Sequence, residues 1–93
     1  MADVTWSTRA LNDLDKIAAY IGIFDPEAAV RTRRELEALG NSLGDFPDRG
    51  RPSVRGTREM VTVRPYIVRY RVVREYVLIL SVRHSARRPI DSR

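Results

Sequence analysis

The chain contains no cysteine, which excludes disulfide bridges and thiolate metal ligands. It has one histidine, His84, and one lysine, Lys16, so most metal sites and histidine-based catalytic triads cannot be built. No glycine-rich phosphate loop is present. No apolar run approaches the roughly 20 residues of a membrane-spanning helix, and the first residues lack the pattern of a signal peptide. We therefore expect a cytoplasmic protein with no metal, no cofactor and no membrane contact.

Arginine, by contrast, is abundant and unevenly placed. The 17 lysine and arginine residues exceed the 12 aspartate and glutamate residues and give a net charge of +5. Residues 49–93 hold twelve of the arginines but only three acidic residues, Glu59, Glu75 and Asp91. The planar guanidinium group offers paired donors that suit carboxylate and phosphate groups. The second half of the chain is therefore predicted to meet an anionic partner.

The spacing of apolar residues predicts one domain over residues 1–93. Ser7 and Asp25 are suited to cap two amphipathic helices, the first ending near Gly22 and the second near Gly44. Strands are predicted at 4–6, 58–64, 65–73 and 76–84. The fold class is then α+β with the order β-α-α-β-β-β, in which an antiparallel helical hairpin packs on one face of a small, mainly antiparallel sheet. The segment 85–93 has no apolar period and is predicted to be a loosely ordered tail.

The last two predicted strands alternate between apolar and basic residues, and this pattern assigns their faces. Side chains of a strand point to opposite faces of the sheet with a period of two. The core face is predicted to carry Val68, Leu78, Leu80 and Val82, packed against Leu14, Ile17, Leu36 and Leu39 of the helices. The opposite, open face is predicted to bind a partner through Ile67, Arg69, Arg71, Val77, Ile79 and Arg83.

Catalytic chemistry has few candidate residues in this chain. His84 ends the last strand, and we interpret it as a half-buried histidine bonded to backbone at the rim of the core. The alternative is a general acid or base beside Arg83. Glu59 is expected to pair with an arginine such as Arg58 or Arg64 across the sheet, although it would serve as a base in a catalytic alternative. No residue is assigned a catalytic role from these patterns.

Several short motifs, taken together, resemble a known family. They are Trp6-Ser7 with Ala10 and Asp13-Leu14, Pro26-Glu27-Ala28-Ala29, Phe46-Pro47 with Gly50-Arg51, Gly56-Thr57-Arg58-Glu59, Tyr66-Ile67-Val68-Arg69-Tyr70, and Val82-Arg83-His84. In this order and at these spacings, over about residues 4–87, the chain resembles the ParE branch of the RelE/ParE superfamily, the toxins of type II toxin–antitoxin systems. The predicted order of helices and strands is also that of the superfamily.

The resemblance implies a toxin that arrests growth until a ParD-like antitoxin binds it, here on the open face. ParE-type members poison DNA gyrase, and this is the function we expect, without catalysis. RelE-type members cut mRNA on the ribosome with a set of basic side chains. That alternative would use Arg58, Arg64, Arg83 and His84, but the second half has no lysine and no tyrosine after Tyr76. A third alternative is a basic module that binds nucleic acid directly or has lost toxicity.

Overall fold

The computed structural model describes residues 2–86, in which two helices cover one face of a five-stranded sheet. The elements are β1 (Asp3–Trp6), α1 (Thr8–Phe24), α2 (Pro26–Ser42), β2 (Arg51–Pro52), β3 (Arg58–Met60), β4 (Tyr66–Val73) and β5 (Tyr76–His84). The strand order is β1-β5-β4-β3-β2; β1 runs parallel to β5, and the other neighbours are antiparallel. The predicted α+β fold is confirmed.

The helical hairpin is formed by helices that meet at one residue. The Ser7 hydroxyl accepts a hydrogen bond from the Ala10 amide at 3.0 Å, and the Asp25 carboxylate accepts one from the Ala28 amide at 3.1 Å, so both predicted caps are confirmed. The first helix continues to Phe24, two residues past Gly22, near which it was predicted to end, because a glycine weakens a helix by only about 1 kcal/mol. Neither helix within residues 2–86 has the length and hydrophobicity needed to cross a membrane.

The core lies between the helices and the sheet. Leu14, Leu36 and Leu39 are buried in it as predicted, and Ile17 is partly buried against it. Helix α2 approaches the sheet closely at Gly40, where a Cβ atom would collide with Trp6 and lie 2.7 Å from the Ile79 methyl group. Any larger residue would push the helix away from β1 and β5.

A bulge in β5 changes which side chains face the core. Arg69 lies opposite Ser81 but Tyr70 lies opposite Ile79, so Leu80 is the extra residue. An extra residue shifts the alternation by one position and exchanges the faces beyond it. The predicted faces are therefore wrong for one half of β5. The core includes Val77 and Ile79, both fully buried, whereas Leu78 and Leu80 are only half-buried.

Side chains from the start of α1 complete the hydrogen bonds of β5 around this bulge. Strand β1 pairs with β5 only as far as Ile79. Beyond it, the Ser7 hydroxyl donates to the Leu80 carbonyl at 3.0 Å, and the Asp13 carboxylate accepts from the Val82 amide at 2.9 Å. The helix thereby takes the place of a neighbouring strand. This accounts physically for Ser7 and Asp13 in the motif that begins at Trp6.

Two strand predictions are corrected at the edge of the sheet that β2 and β3 form. The predicted strand 58–64 ends at Met60, and the two-residue strand β2 was not predicted. A strand that short has no alternation from which to predict it. The predicted loose tail 85–93 lies outside the described residues except for Ser85 and Ala86, which form a turn in which the Ser85 amide donates to the Pro65 carbonyl at 2.8 Å.

Candidate functional site

The sheet surface that points away from the helices, called here the open face, is rich in arginine. The strand register brings its members together, since residues directly opposite each other on neighbouring strands point to the same side. The open face comprises Arg51, Glu59, Ile67, Arg69, Arg71, Leu78, Ser81 and Arg83. Four of the six residues predicted to bind a partner are therefore on this face. The other two, Val77 and Ile79, are buried on the opposite side because of the bulge and cannot contact a partner there.

Among the described residues 2–86, one carboxylate lies at the centre of the arginines. Glu59 is only 7% exposed. The Arg69 guanidinium donates to its Oε2 atom from Nη2 at 2.9 Å and from Nε at 3.3 Å. Arg83 Nη2 lies 3.7 Å from the same oxygen, and Arg51 Nη2 lies 3.5 Å from Oε1. Three strands thus each supply an arginine to one glutamate, and we call these four residues the Glu59 cluster.

The partners of Glu59 differ from those predicted. Arg58 lies opposite Tyr70, on the face that carries the helices, and donates to the Gly50 carbonyl at 2.6 Å. Arg64 is exposed in the connection between β3 and β4. The prediction that Glu59 pairs with either of them is therefore wrong. Adjacent residues of a strand point to opposite faces, so Arg58 cannot reach a carboxylate on the far side of its own strand.

The electrostatic state of Glu59 follows from two opposing effects. Burial raises the pKa of its carboxyl group. Hydrogen bonds from Arg69 and Ser53 and the charges of Arg69 and Arg83 lower it, and the net pKa is below the ordinary range for glutamate. Glu59 is therefore ionised at neutral pH and acts as a permanent counter-charge among the arginines.

The four arginines of the open face divide into two inner and two outer residues. The side chains of Arg69 and Arg83 are 12% and 16% exposed and lie against Glu59. Arg51 is 65% exposed, and Arg71 is exposed while donating to the Arg55 carbonyl at 3.0 Å. An approaching partner would meet the outer pair first.

The segment that precedes Arg51 is anchored by a tyrosine on the other side of the sheet. The fully buried Tyr70 hydroxyl accepts from the Gly50 amide at 2.8 Å and donates to the Pro47 carbonyl at 2.6 Å. A Cβ atom at Gly50 would lie 2.7 Å from that oxygen, so only glycine allows this approach. Burial raises the pKa of Tyr70, and its hydroxyl remains a donor at neutral pH. The segment preceding β2 is thereby anchored to the core.

The four residues of the ribonuclease alternative do not form one site. Arg83 lies on the open face, whereas His84 is opposite Tyr66 on the other face, with ring centroids 5.6 Å apart. Arg58 is bound to the segment before β2, and Arg64 is in a connection. The predicted backbone hydrogen bond of His84 is confirmed, since Nδ1 accepts from the Ala86 amide at 3.0 Å, but the residue is exposed rather than half-buried.

A cleft and an apolar surface lie on the helical side. The cleft, of about 600 Å³, runs between α1 and the end of β5 and is lined by Lys16, Tyr66 and His84 among others. At the end of α1, a surface that we call the hairpin tip exposes Tyr20, Ile23 and Phe24. The tyrosine and phenylalanine rings meet edge to face with centroids 5.5 Å apart. This surface was not predicted from the sequence, because Ile23 and Phe24 follow Gly22, near which the helix was predicted to end.

Two functional features were missed from sequence. The first is Glu59 as the centre of the open face, although it ends the motif Gly56-Thr57-Arg58-Glu59 and is one of few acidic residues in the second half. The second is Arg51, which lies in the unpredicted strand β2. Within residues 2–86, no group of three or more histidine, cysteine or acidic side chains is arranged to hold a metal ion.

Comparisons with known proteins place this geometry in a family. The family of ParE toxins of parDE type II toxin–antitoxin systems matches residues 4–89. Toxin RelE2 of Caulobacter vibrioides is 46% identical over 94% of this chain and 99% of that toxin. The Sinorhizobium fredii protein Y4kP is 42% identical over 88% of this chain and 86% of its own length. A chain from the solved chromosomal ParDE system of P. aeruginosa superimposes with a TM-score of 0.83 at 27% identity, covering 90% of this chain and 96% of that one. The chain therefore belongs to the ParE family of type II toxins.

Proposed function

We propose that this toxin acts in the cytoplasm by inhibiting DNA gyrase, without catalysis, and that a ParD-type antitoxin neutralises it by docking on the open face. Membership of the ParE family supports the choice of target and partner. The observation that carries the docking proposal is the open face itself, where four arginines, three of them around Glu59, leave a strongly positive surface. An acidic, partly apolar segment has the complementary chemistry.

The outer arginines are the residues with which to test the docking. Arg51 and Arg71 are exposed, and the half-buried Leu78, which is paired with Arg71, offers apolar contact on the same face. We expect the double variant Arg51→Glu/Arg71→Glu to bind the cognate antitoxin at least tenfold more weakly, mainly through slower association at low salt. The helix-layer double variant Arg31→Glu/Arg34→Glu has the same charge change and serves as the control. Equal weakening by both variants would contradict docking on the open face.

The inner arginines are unsuitable for that test. Reversal of Arg69 and Arg83 would gather three carboxylates around one point of the sheet, since both already contact Glu59. Loss of binding would then report loss of folded protein. The predicted role of Arg69 and Arg83 in binding is therefore best examined with neutral variants of proven stability.

The target is tested by two activity assays on the purified full chain. We expect inhibition of gyrase-catalysed supercoiling, and no cleavage of mRNA in a ribosome-dependent assay. The separation of Arg83 from His84 on opposite faces supports this choice over the ribonuclease. The name of the relative RelE2 of Caulobacter vibrioides favours the ribonuclease as a second candidate. Ribosome-dependent cleavage that is lost in His84→Gln, with supercoiling unaffected by the parent, would establish that candidate instead.

A further inference from the structure

Glu59 is the least expected residue of the open face. A surface that recruits an acidic partner gains nothing in total charge from a carboxylate at its centre, yet here that carboxylate is 7% exposed and contacts an arginine from each of β2, β4 and β5. A buried carboxylate with these partners is ionised and fixed in place. Attraction of an acidic partner therefore does not explain why Glu59 lies at the centre of the open face.

We propose that Glu59 determines the partner specificity of the open face: it positions the arginines for the separated carboxylates of a protein segment and lowers their affinity for the continuous phosphates of nucleic acid. The inference rests on the proposed docking of the antitoxin on this face. It concerns which class of anion the face prefers, a property distinct from whether the toxin inhibits gyrase.

The hydrogen bonds of Glu59 show how it positions the arginines. An arginine side chain loses considerable rotational freedom when it binds a carboxylate, and that loss weakens the complex. Glu59 already holds the Arg69 guanidinium through two hydrogen bonds to Oε2, and it keeps Arg83 within 3.7 Å. Much of the ordering has thus occurred before a partner arrives. The free protein presents the arginines in a fixed arrangement.

Discrimination between nucleic acid and a protein segment follows from the spacing of the negative charges on each ligand. Duplex DNA carries a negative charge about every 1.7 Å along its axis, so a duplex lying across the open face cannot keep its phosphates away from the centre. A protein segment carries isolated carboxylates, which can lie over the arginines while apolar side chains of the segment lie over Glu59. A fixed negative charge at Glu59 therefore weakens the binding of the duplex more than the binding of the protein segment.

The test compares Glu59→Gln with Glu35→Gln, using the full-length toxin in both cases. Glu35 is exposed on α2, in the helical layer, so its variant makes the same change in net charge away from the open face. The probes are the cognate antitoxin and a 20-base-pair DNA duplex, the latter titrated over a series of salt concentrations. Circular dichroism and melting temperature establish that each variant is folded.

We expect opposite effects on the two probes. Glu59→Gln should bind the antitoxin about tenfold more weakly, because the inner arginines lose their anchor. It should bind the duplex about tenfold more tightly near 0.1 M salt, with a salt dependence steeper by about one unit, because one more phosphate is neutralised. Glu35→Gln should change neither affinity more than twofold. Antitoxin binding as tight as that of the parent, or a duplex response no larger than that of Glu35→Gln, overturns the inference.

A second variant keeps the inference testable if Glu59→Gln does not fold. Glu59→Asp retains the charge but shortens the side chain, and should lose the longer contacts to Arg51 and Arg83. It should therefore weaken antitoxin binding while leaving duplex binding unchanged; unchanged antitoxin affinity contradicts the positioning role. If Arg51→Glu/Arg71→Glu binds antitoxin normally, docking on this face is itself wrong. If that double variant fails to bind but the Glu59 variants bind like the parent, docking stands and only the role of Glu59 is wrong.

Discussion

The open face and the hairpin tip expose side chains of opposite character, and they differ in how those side chains are held. On the open face, arginines are tied to Glu59 and to backbone carbonyls at 2.9–3.7 Å. At the hairpin tip, Tyr20, Ile23 and Phe24 protrude with one ring contact between them. A charged surface remains soluble when unbound, whereas a cluster of exposed apolar side chains often marks an interaction site or a risk of aggregation. The two surfaces are therefore suited to different partners.

The comparison also separates structural residues from residues that are available for binding. On the open face the arginines divide between the two roles, since the inner pair supports the sheet through Glu59 and the outer pair faces solvent. At the tip, little of the fold depends on the exposed side chains. Substitutions should therefore cost most stability at the inner arginines and least at the tip.

The largest effect is expected from reversing an inner arginine. Arg69→Glu would place a second carboxylate beside Glu59 and leave both without their closest cation. Breaking a buried ion pair in this way typically costs about 3–5 kcal/mol, which is a large share of the stability of a small domain. Urea unfolding should show the loss clearly. Arg51→Glu, at the exposed edge of the same cluster, should change the free energy of unfolding by less than about 1 kcal/mol; equal effects would remove the distinction between inner and outer arginines.

A smaller loss of stability than that of Arg69→Glu is expected when a contact that holds the β5 bulge is removed. Asp13→Ala removes the acceptor of the Val82 amide, which lies 2.9 Å from the carboxylate. An amide left without its partner costs about 1–3 kcal/mol when water cannot replace it. Thermal unfolding measures this loss, and hydrogen exchange at Val82 should become faster than at Val68 in the variant. Retained protection of the Val82 amide would show that Asp13 is not needed to hold the bulge.

The sequence predicted the helices, their caps and their leucine core well because those features depend on neighbouring residues. The faces of β5 depend on contacts from Ser7 and Asp13, which are separated from their partners Leu80 and Val82 by 73 and 69 positions. No local pattern at Leu80 shows that an extra residue will be accommodated there. Similarly, Arg51 lies opposite Glu59 in a two-residue strand, and Tyr70 anchors the segment before that strand. Long-range hydrogen bonds stabilise the bulge in β5 and the segment before Arg51, and the period of the local sequence predicts neither feature.

The stability conferred by the Glu59 cluster should depend on pH. Burial raises the pKa of Glu59, but its arginine partners lower the pKa by more than burial raises it. The folded pKa therefore lies below the unfolded value of about 4.3. The stabilisation is therefore fully present above that value and is lost as the pH falls through the folded pKa. Parent and Glu59→Gln should be compared by urea unfolding at pH 7 and pH 3, and the gap between them should narrow at pH 3. A constant gap would mean that the charge of Glu59 does not contribute.

The smallest effect on stability is expected at the hairpin tip. Ile23→Gln/Phe24→Gln replaces two exposed apolar side chains with a good helix former, so the free energy of unfolding should change by less than about 0.5 kcal/mol. If the antitoxin docks on the open face alone, its affinity should also stay within twofold of the parent, as measured by calorimetry. A tenfold loss of affinity in this folded variant, with a matched loss in Arg51→Glu/Arg71→Glu, would show that the antitoxin spans both surfaces. A loss at the tip without one at the open face would transfer the docking site to the helical hairpin, because the apolar surface and not the arginines would then carry the binding energy.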